Sequence, residues 1–117
     1  MFFRSVLRWI HKYTLVFDGT SPLAWQNLDV SAVVGKRHAL VFIKLHNTSG
    51  GSDAYYFRSG DETNDVAFDA NRPGGMNIIF VKWGNIACVV QETNADGVLQ
   101  WKAGVADISK IYVRGYI

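Results

Sequence analysis

The sequence predicts an all-β domain, an antiparallel β-sandwich or jelly roll of seven or eight strands preceded by a short amphipathic N-terminal helix or arm. Three observations carry this. From Thr14 onward, apolar or alternating runs of about six to ten residues are separated by clusters of Gly, Asn, Asp and Pro. Some of these runs, Ile86 to Val90 above all, are apolar at consecutive positions, as expected of strands covered on both faces by another sheet or a subunit. Residues 1–13 follow a different period.

At about 100° per residue, Phe2, Phe3, Val6, Leu7, Trp9, Ile10 and Tyr13 fall within an arc of roughly 160°, and Arg4, Arg8, His11 and Lys12 share the opposite side. Strand alternation would instead place Phe2, Arg4, Val6, Arg8, Ile10 and Lys12 on one surface, mixing charge with core. The chain therefore divides into a helical docking or oligomerisation arm over 1–13 and a β domain over 14–117. Phe3, Val6, Ile10 and Tyr13 follow the spacing of a coiled-coil seam, but so short a helix is marginal alone and needs a surface to pack on. Phe3, Val6, Leu7, Trp9, Ile10 and Tyr13 are the candidate docking residues. Three surfaces could receive them: the chain's own domain, further copies or other components of a particle, or a membrane. The basic face with Trp9 suits an anionic interface, yet a membrane is the least favoured of the three. Arg4, Arg8, His11 and Lys12 interrupt any secretory apolar core, and no small-residue cleavage site follows.

The strands then run in order. Leu15 to Asp18 ends at Gly19-Thr20-Ser21-Pro22, and Leu28 to Gly35 resembles a single helical turn closed by Gly35. Ala39 to His46 ends at Asn47 to Ser52, Ala54 to Arg58 at Ser59-Gly60-Asp61, and Val66 to Asp69 reads as a short edge strand. Asn77 to Trp83, Ile86 to Thr93, Val98 to Ala103 and Ile108 to Tyr116 complete the set. Asn94-Ala95-Asp96-Gly97 is the clearest local signal, a hairpin whose type I turn places Gly97 in the left-handed region, so that Gly97→Val should damage it. Ile117 follows directly on a strand, which places its carboxylate at a sheet edge or near a symmetry axis.

A length of 117 residues makes one domain able to fold without staples. Hydrophobic content of 49% with 19% charged is ordinary for a globular protein, and no apolar run approaches the roughly 20 residues that span a bilayer. A net charge of +2 is too small to imply nucleic acid, and none is expected as a partner. The single cysteine, Cys88, excludes an intrachain disulfide and reads as a small buried hydrophobe.

Thr14-Leu15-Val16-Phe17-Asp18-Gly19-Thr20-Ser21-Pro22 and Trp25 to Gly35 resemble the opening of small β modules in bacteriophage tail-fibre, head-fibre and spike proteins. The likeness continues through Ala39 to Asn47, the aromatic strand and Gly-Asp turn of Tyr55-Tyr56-Phe57-Arg58-Ser59-Gly60-Asp61, Asp96-Gly97, and the closing Val113-Arg114-Gly115-Tyr116-Ile117. It spans residues 14–117 and consists of strand and turn patterns that many sandwiches share. It implies a virion component, assembled in the host cytoplasm, whose subunits form homo-oligomers, often threefold, contact other virion proteins, and whose loops can touch host-surface glycans.

Aromatic content of 14% is high for so small a domain, and the surplus must enter the core, an interface or a ligand platform. Alternation puts Tyr55 and Phe57 on one side of their strand and Tyr56 with Arg58 on the other, one side being exposed. Tyr56, Arg58 and Trp83 are the candidate glycan contacts; Trp25 and Trp101 could also stack on sugars but are more often core. Asp61-Glu62-Thr63-Asn64-Asp65 does not match a calcium loop, and His11, His38 and His46 show no metal spacing, so neither metal nor cofactor is expected. Glu62 and Glu92, the only glutamates, offer no arguable acid pair, and no nucleophile elbow or phosphate loop is present. No catalytic residues are assigned and an enzyme is not expected. The alternative to a virion subunit is a stand-alone carbohydrate-binding module.

Overall fold

The computed structural model describes residues 8–48, 53–62, 76–82 and 84–117. Its strands are β1 (Arg8–Thr20), β2 (Gln26–Asp29), β3 (Leu40–Asn47), β4 (Asp53–Ser59), β5 (Asn77–Val81), β6 (Ile86–Glu92), β7 (Val98–Ala103) and β8 (Ile108–Tyr116), with one short helix, α1 (Ser31–Val34). They form two four-stranded sheets, ordered β1-β8-β3-β6 and β2-β7-β4-β5. Every pairing is antiparallel, and four of them are nested: β4 with β5, β3 with β6, β2 with β7 and β1 with β8. The fold is all-β, as the turn-punctuated runs predict.

Period-two burial builds the layer between the sheets. Val41, Ile43 and Leu45 of β3 and Ile111 and Val113 of β8 point inward from one sheet; Tyr55 and Phe57 of β4 and Leu99, Trp101 and Ala103 of β7 point inward from the other. Trp101 is the largest of these, with the Phe17 ring edge-on at 4.7 Å and the Phe57 ring stacked at 6.2 Å, so it joins β1 of one sheet to β4 of the other. Burying each such side chain is worth roughly 1.5–3 kcal/mol against leaving it in water.

Several expectations are corrected. Arg8 to Tyr13 are strand, not helix; Met1 to Leu7 lie outside the described residues. The reason is visible in the register: Trp9 faces Gly115 and Thr14 faces Val113, so β1 advances five residues while β8 advances two. A bulge of that size destroys period-two alternation locally, and the apolar spacing it leaves imitates a helical stripe. The predicted division between 13 and 14 consequently falls inside one continuous strand. Second, Asn94 to Gly97 is a turn with Gly97 at φ 74°, but it joins no hairpin, because β6 and β7 belong to different sheets. Third, Ile117 exchanges backbone hydrogen bonds with Leu40 at 2.9 and 3.1 Å, and β8 lies between β1 and β3, so the last residue is not at a sheet edge. Fourth, Cys88 is exposed. Leu28 and Asp29, read as part of a helical turn, belong to β2, while Ser31–Val34 keep the turn and Gly35 closes it at φ 87°. The edge strand expected over Val66 to Asp69 lies outside the described residues.

Candidate functional site

The outer face of the second sheet carries a connected row of polar and aromatic side chains. Alternation on β4 separates the two pairs as expected from the sequence, and Tyr55 and Phe57 are the pair that fills the core, which leaves Tyr56 and Arg58 on the outer face. The Arg58 guanidinium lies 4.0 Å from the centre of the Trp25 ring, and its Nε donates to Gln100 Oε1 at 2.8 Å. Gln100 Nε2 in turn donates to Asn27 Oδ1 at 3.0 Å. Lys102 Nζ stands 4.7 Å from the Trp25 ring and 5.5 Å from the Tyr56 ring. Beside this row lies a depression of about 410 Å³ lined by Leu23, Tyr56, Met76, Lys102, Ala103 and Gly104.

Of the predicted glycan contacts, Tyr56 therefore stands at the rim of a depression. Arg58 shares its face but is 8% exposed, its guanidinium covered by Trp25. Trp83 lies outside the described residues. Trp101 is wholly buried and belongs to the core. Lys102 and Leu23 complete the rim and carried no sequence signal, since β7 reaches β4 only through the sheet order.

The outer face of the first sheet carries tyrosine rings beside cations. Tyr13 on β1 and Tyr112 on β8 meet with ring centres 6.2 Å apart, and Lys44 Nζ and the Arg114 guanidinium lie 5.4 and 5.1 Å from the Tyr13 ring. The hydrogen-bonding contact with Tyr13 holds the Lys44 ammonium above the usual lysine range, with Cys88 adding to it. Next to this cluster, Phe42, Lys44, Cys88, Val90 and Arg114 surround a depression of about 220 Å³. Of the predicted docking residues, Tyr13 thus packs on its own sheet. Trp9 and Ile10 are strand by their backbone, and Phe3, Val6 and Leu7 lie outside the described residues.

Polar side chains gather at both ends of the sandwich. His38 Nδ1 lies 3.1 Å from Thr93 O, at a depression of about 240 Å³ that Ser59, Asp61, Glu62 and Glu92 also line. At the opposite end Ser109 Oγ is 2.7 Å from Ser21 Oγ and 3.0 Å from the Tyr55 hydroxyl, all buried. Asp53 is buried close by; its Oδ1 accepts from Val105 N at 3.0 Å, and among the described residues its Oδ2 has no partner. Burial raises the Asp53 carboxyl and the Tyr55 hydroxyl above their usual ranges. Among the described residues no three His, Cys, Asp or Glu side chains converge as a metal site would require, and no helix is long and apolar enough to cross a membrane.

No family model matches this chain, and no curated protein matches it.

Proposed function

We propose that this chain is a structural subunit of a bacteriophage virion, a capsid decoration, head-fibre, tail-fibre or spike component, that works by assembling with copies of itself and with other virion proteins. The observation that carries the reading is the nested pairing of β4 with β5, β3 with β6, β2 with β7 and β1 with β8. That order is compatible with a jelly roll, two Greek keys folded over one another, and double-sheet rolls of that kind recur in virus capsids and in lectins. Fold alone does not choose between those functions. Apolar surface left on the strands favours assembly: Leu15, Phe80, Ile86 and Val90 are 48, 79, 57 and 42% exposed. No catalysis, cofactor or nucleic acid enters this reading, and the place of action is the virion, built in the host cytoplasm.

The test is mass in solution by sedimentation, for the full chain and for a chain lacking residues 1–7, a cut that leaves β1 whole. A trimer or larger species is expected for the full chain, and a smaller species after truncation if the leading residues dock. Both chains remaining monomeric at about 100 µM would overturn the proposal.

The second reading, a carbohydrate-binding module, is favoured by one feature: Tyr56 and Lys102 at the rim of the outer depression, an aromatic face beside a cation. It requires that a monomer bind glycans on an array and that Tyr56→Ala abolish the binding.

A further inference from the structure

The edges of the first sheet are unequal. β1 is interrupted by two register shifts and carries Arg8 and Asp18, both devices that discourage pairing with another chain. β6, at the other edge, opens with the run Ile86-Ala87-Cys88-Val89-Val90, which has no proline and no charge; Glu92 closes the strand. Among the described residues no strand pairs with its outer side.

The hydrogen bonds fix which backbone groups that side displays. Thr93 N donates to Ala39 O at 2.9 Å and Asn47 N to Asn85 O at 3.2 Å, in one register with the β3 and β6 pairs from Leu40↔Glu92 to His46↔Ile86. The odd-numbered residues of β6 therefore bond to β3, and the N–H and C=O groups of Ile86, Cys88 and Val90 point away from it. Val90 O confirms the phase, since it accepts from Asn77 Nδ2 of β5 at 3.2 Å; its second lone pair remains. The side chains of the same three residues are exposed on the outer face.

We infer that β6 is a self-pairing edge: two copies of the chain join through antiparallel Ile86–Val90 strands about a twofold axis at Cys88, making one continuous sheet. The apolar run is symmetric about Cys88, so this register alone pairs the whole run with itself, Ile86 against Val90 twice and Cys88 against Cys88. Each of those pairs exchanges both backbone hydrogen bonds. Phe42, opposite Val90 in the β3 register, extends the apolar row across the junction to the second copy's Ile86. The backbones at Lys44, opposite Cys88, would lie about 14 Å apart, three strand spacings away. A second copy is the occupant because the edge complements itself in hydrogen bonding and side-chain size, and a twofold contact closes instead of propagating. The inference rests on the assembly reading above for its biological setting, and the twofold contact can stand alone or link larger rings.

Cys88 makes the register testable, being the single cysteine and lying on the axis. A short bis-maleimide applied to the full chain should give a covalent dimer in high yield, abolished by Cys88→Ser. Val90→Lys, at an exposed site, and Val90→Pro, which removes only an outward N–H, should each lower that yield at least tenfold without changing the circular-dichroism spectrum. Low yield from a wild type that sediments as a multimer would overturn the β6 contact and leave the assembly reading standing. A wild type that stays monomeric and uncross-linked would overturn both, and equal yields from wild type and a folded Val90 variant would reduce the cross-link to random collision and overturn the contact.

Discussion

At one end of the sandwich, where β2 leads to α1 and β6 leads to β7, amides and carbonyls meet around Asn94; at the other, where β1 leads to β2 and β7 leads to β8, hydroxyls and a carboxyl are buried side by side. Around Asn94 hydrogen bonds close the turn and tie it to neighbouring segments. Its Oδ1 accepts from Asp96 N at 2.9 Å and Val98 N at 3.1 Å, its Nδ2 donates to Asp61 Oδ1 at 3.0 Å, and Val30 N reaches Gly97 O at 3.0 Å. The opposite end joins Ser21, Tyr55 and Ser109 from three strands or strand ends, and among the described residues leaves Asp53 Oδ2 without a partner. The first end is held by a turn with no room for a side chain at Gly97, and the second by side chains that tolerate trimming. Substitutions should therefore cost more at the first.

Gly97→Val tests this most severely. Gly97 sits at φ 74°, a conformation that is costly for a β-branched residue, and a Cβ there would press on Gly35 O and lie 3.0 Å from Ser31 Cα. Strain and overpacking together should remove about 3 kcal/mol, read as a shift of the urea midpoint. A loss under about 1 kcal/mol would mean that the turn relaxes and that this end is not rigid.

Tyr55→Phe probes the other end. It removes a hydroxyl 3.0 Å from Ser109 Oγ while the 2.7 Å contact between Ser109 and Ser21 persists, so the loss should be about 1 kcal/mol. A loss as large as that at Gly97 would erase the contrast between the ends and make the hydroxyl cluster a rigid unit as well.

The same contrast explains what could be read before the structure. Asn94-Ala95-Asp96-Gly97 announces its turn because side-chain and backbone preferences lie within four residues. That its flanking strands go to different sheets is a non-local fact, and no residue in the turn encodes it. Ser21 and Ser109 stand 88 positions apart and touch only because β1 pairs with β8, so nothing in either neighbourhood marks them as partners. That Tyr56 and Arg58 share one side of their strand followed from alternation, whereas the sheltering of Arg58 under Trp25 depends on a segment more than thirty positions away. Residues 8–13 misled for a related reason: a bulge set by pairing with β8 produced a spacing that local reading takes for a helix. Cys88 misled because an apolar run signals burial on both faces, which one chain alone does not provide.

The smallest expected effect lies in two aspartates that stand at opposite ends and should respond to pH with opposite sign. Asp29 accepts from Ser31 N at 2.9 Å, and hydrogen bonding from Ser31 holds its carboxyl below the ordinary value of 3.8. Its contribution is present above pH 3.8 and is lost as pH falls through the lower folded value. Asp53 is the reverse. Burial, reinforced by the charge of Asp107, holds its carboxyl above 3.8 despite the amides of Val105, Ala54 and Gly104, so the folded chain keeps this proton more tightly than the unfolded one. Its contribution is complete below 3.8 and declines as pH rises from there through the raised folded value, because the unfolded chain ionises first. Asp53→Asn keeps an acceptor for Val105 N and removes the ionisation. Its stability relative to wild type should therefore climb over that window and then level off, while Asp29→Asn should lose ground as pH increases from the acid side. Urea denaturation at a series of pH values measures both. Parallel profiles for Asp53→Asn and wild type would show that the buried carboxyl ionises as readily folded as unfolded, and the unpartnered Oδ2 would then have to be reached by water.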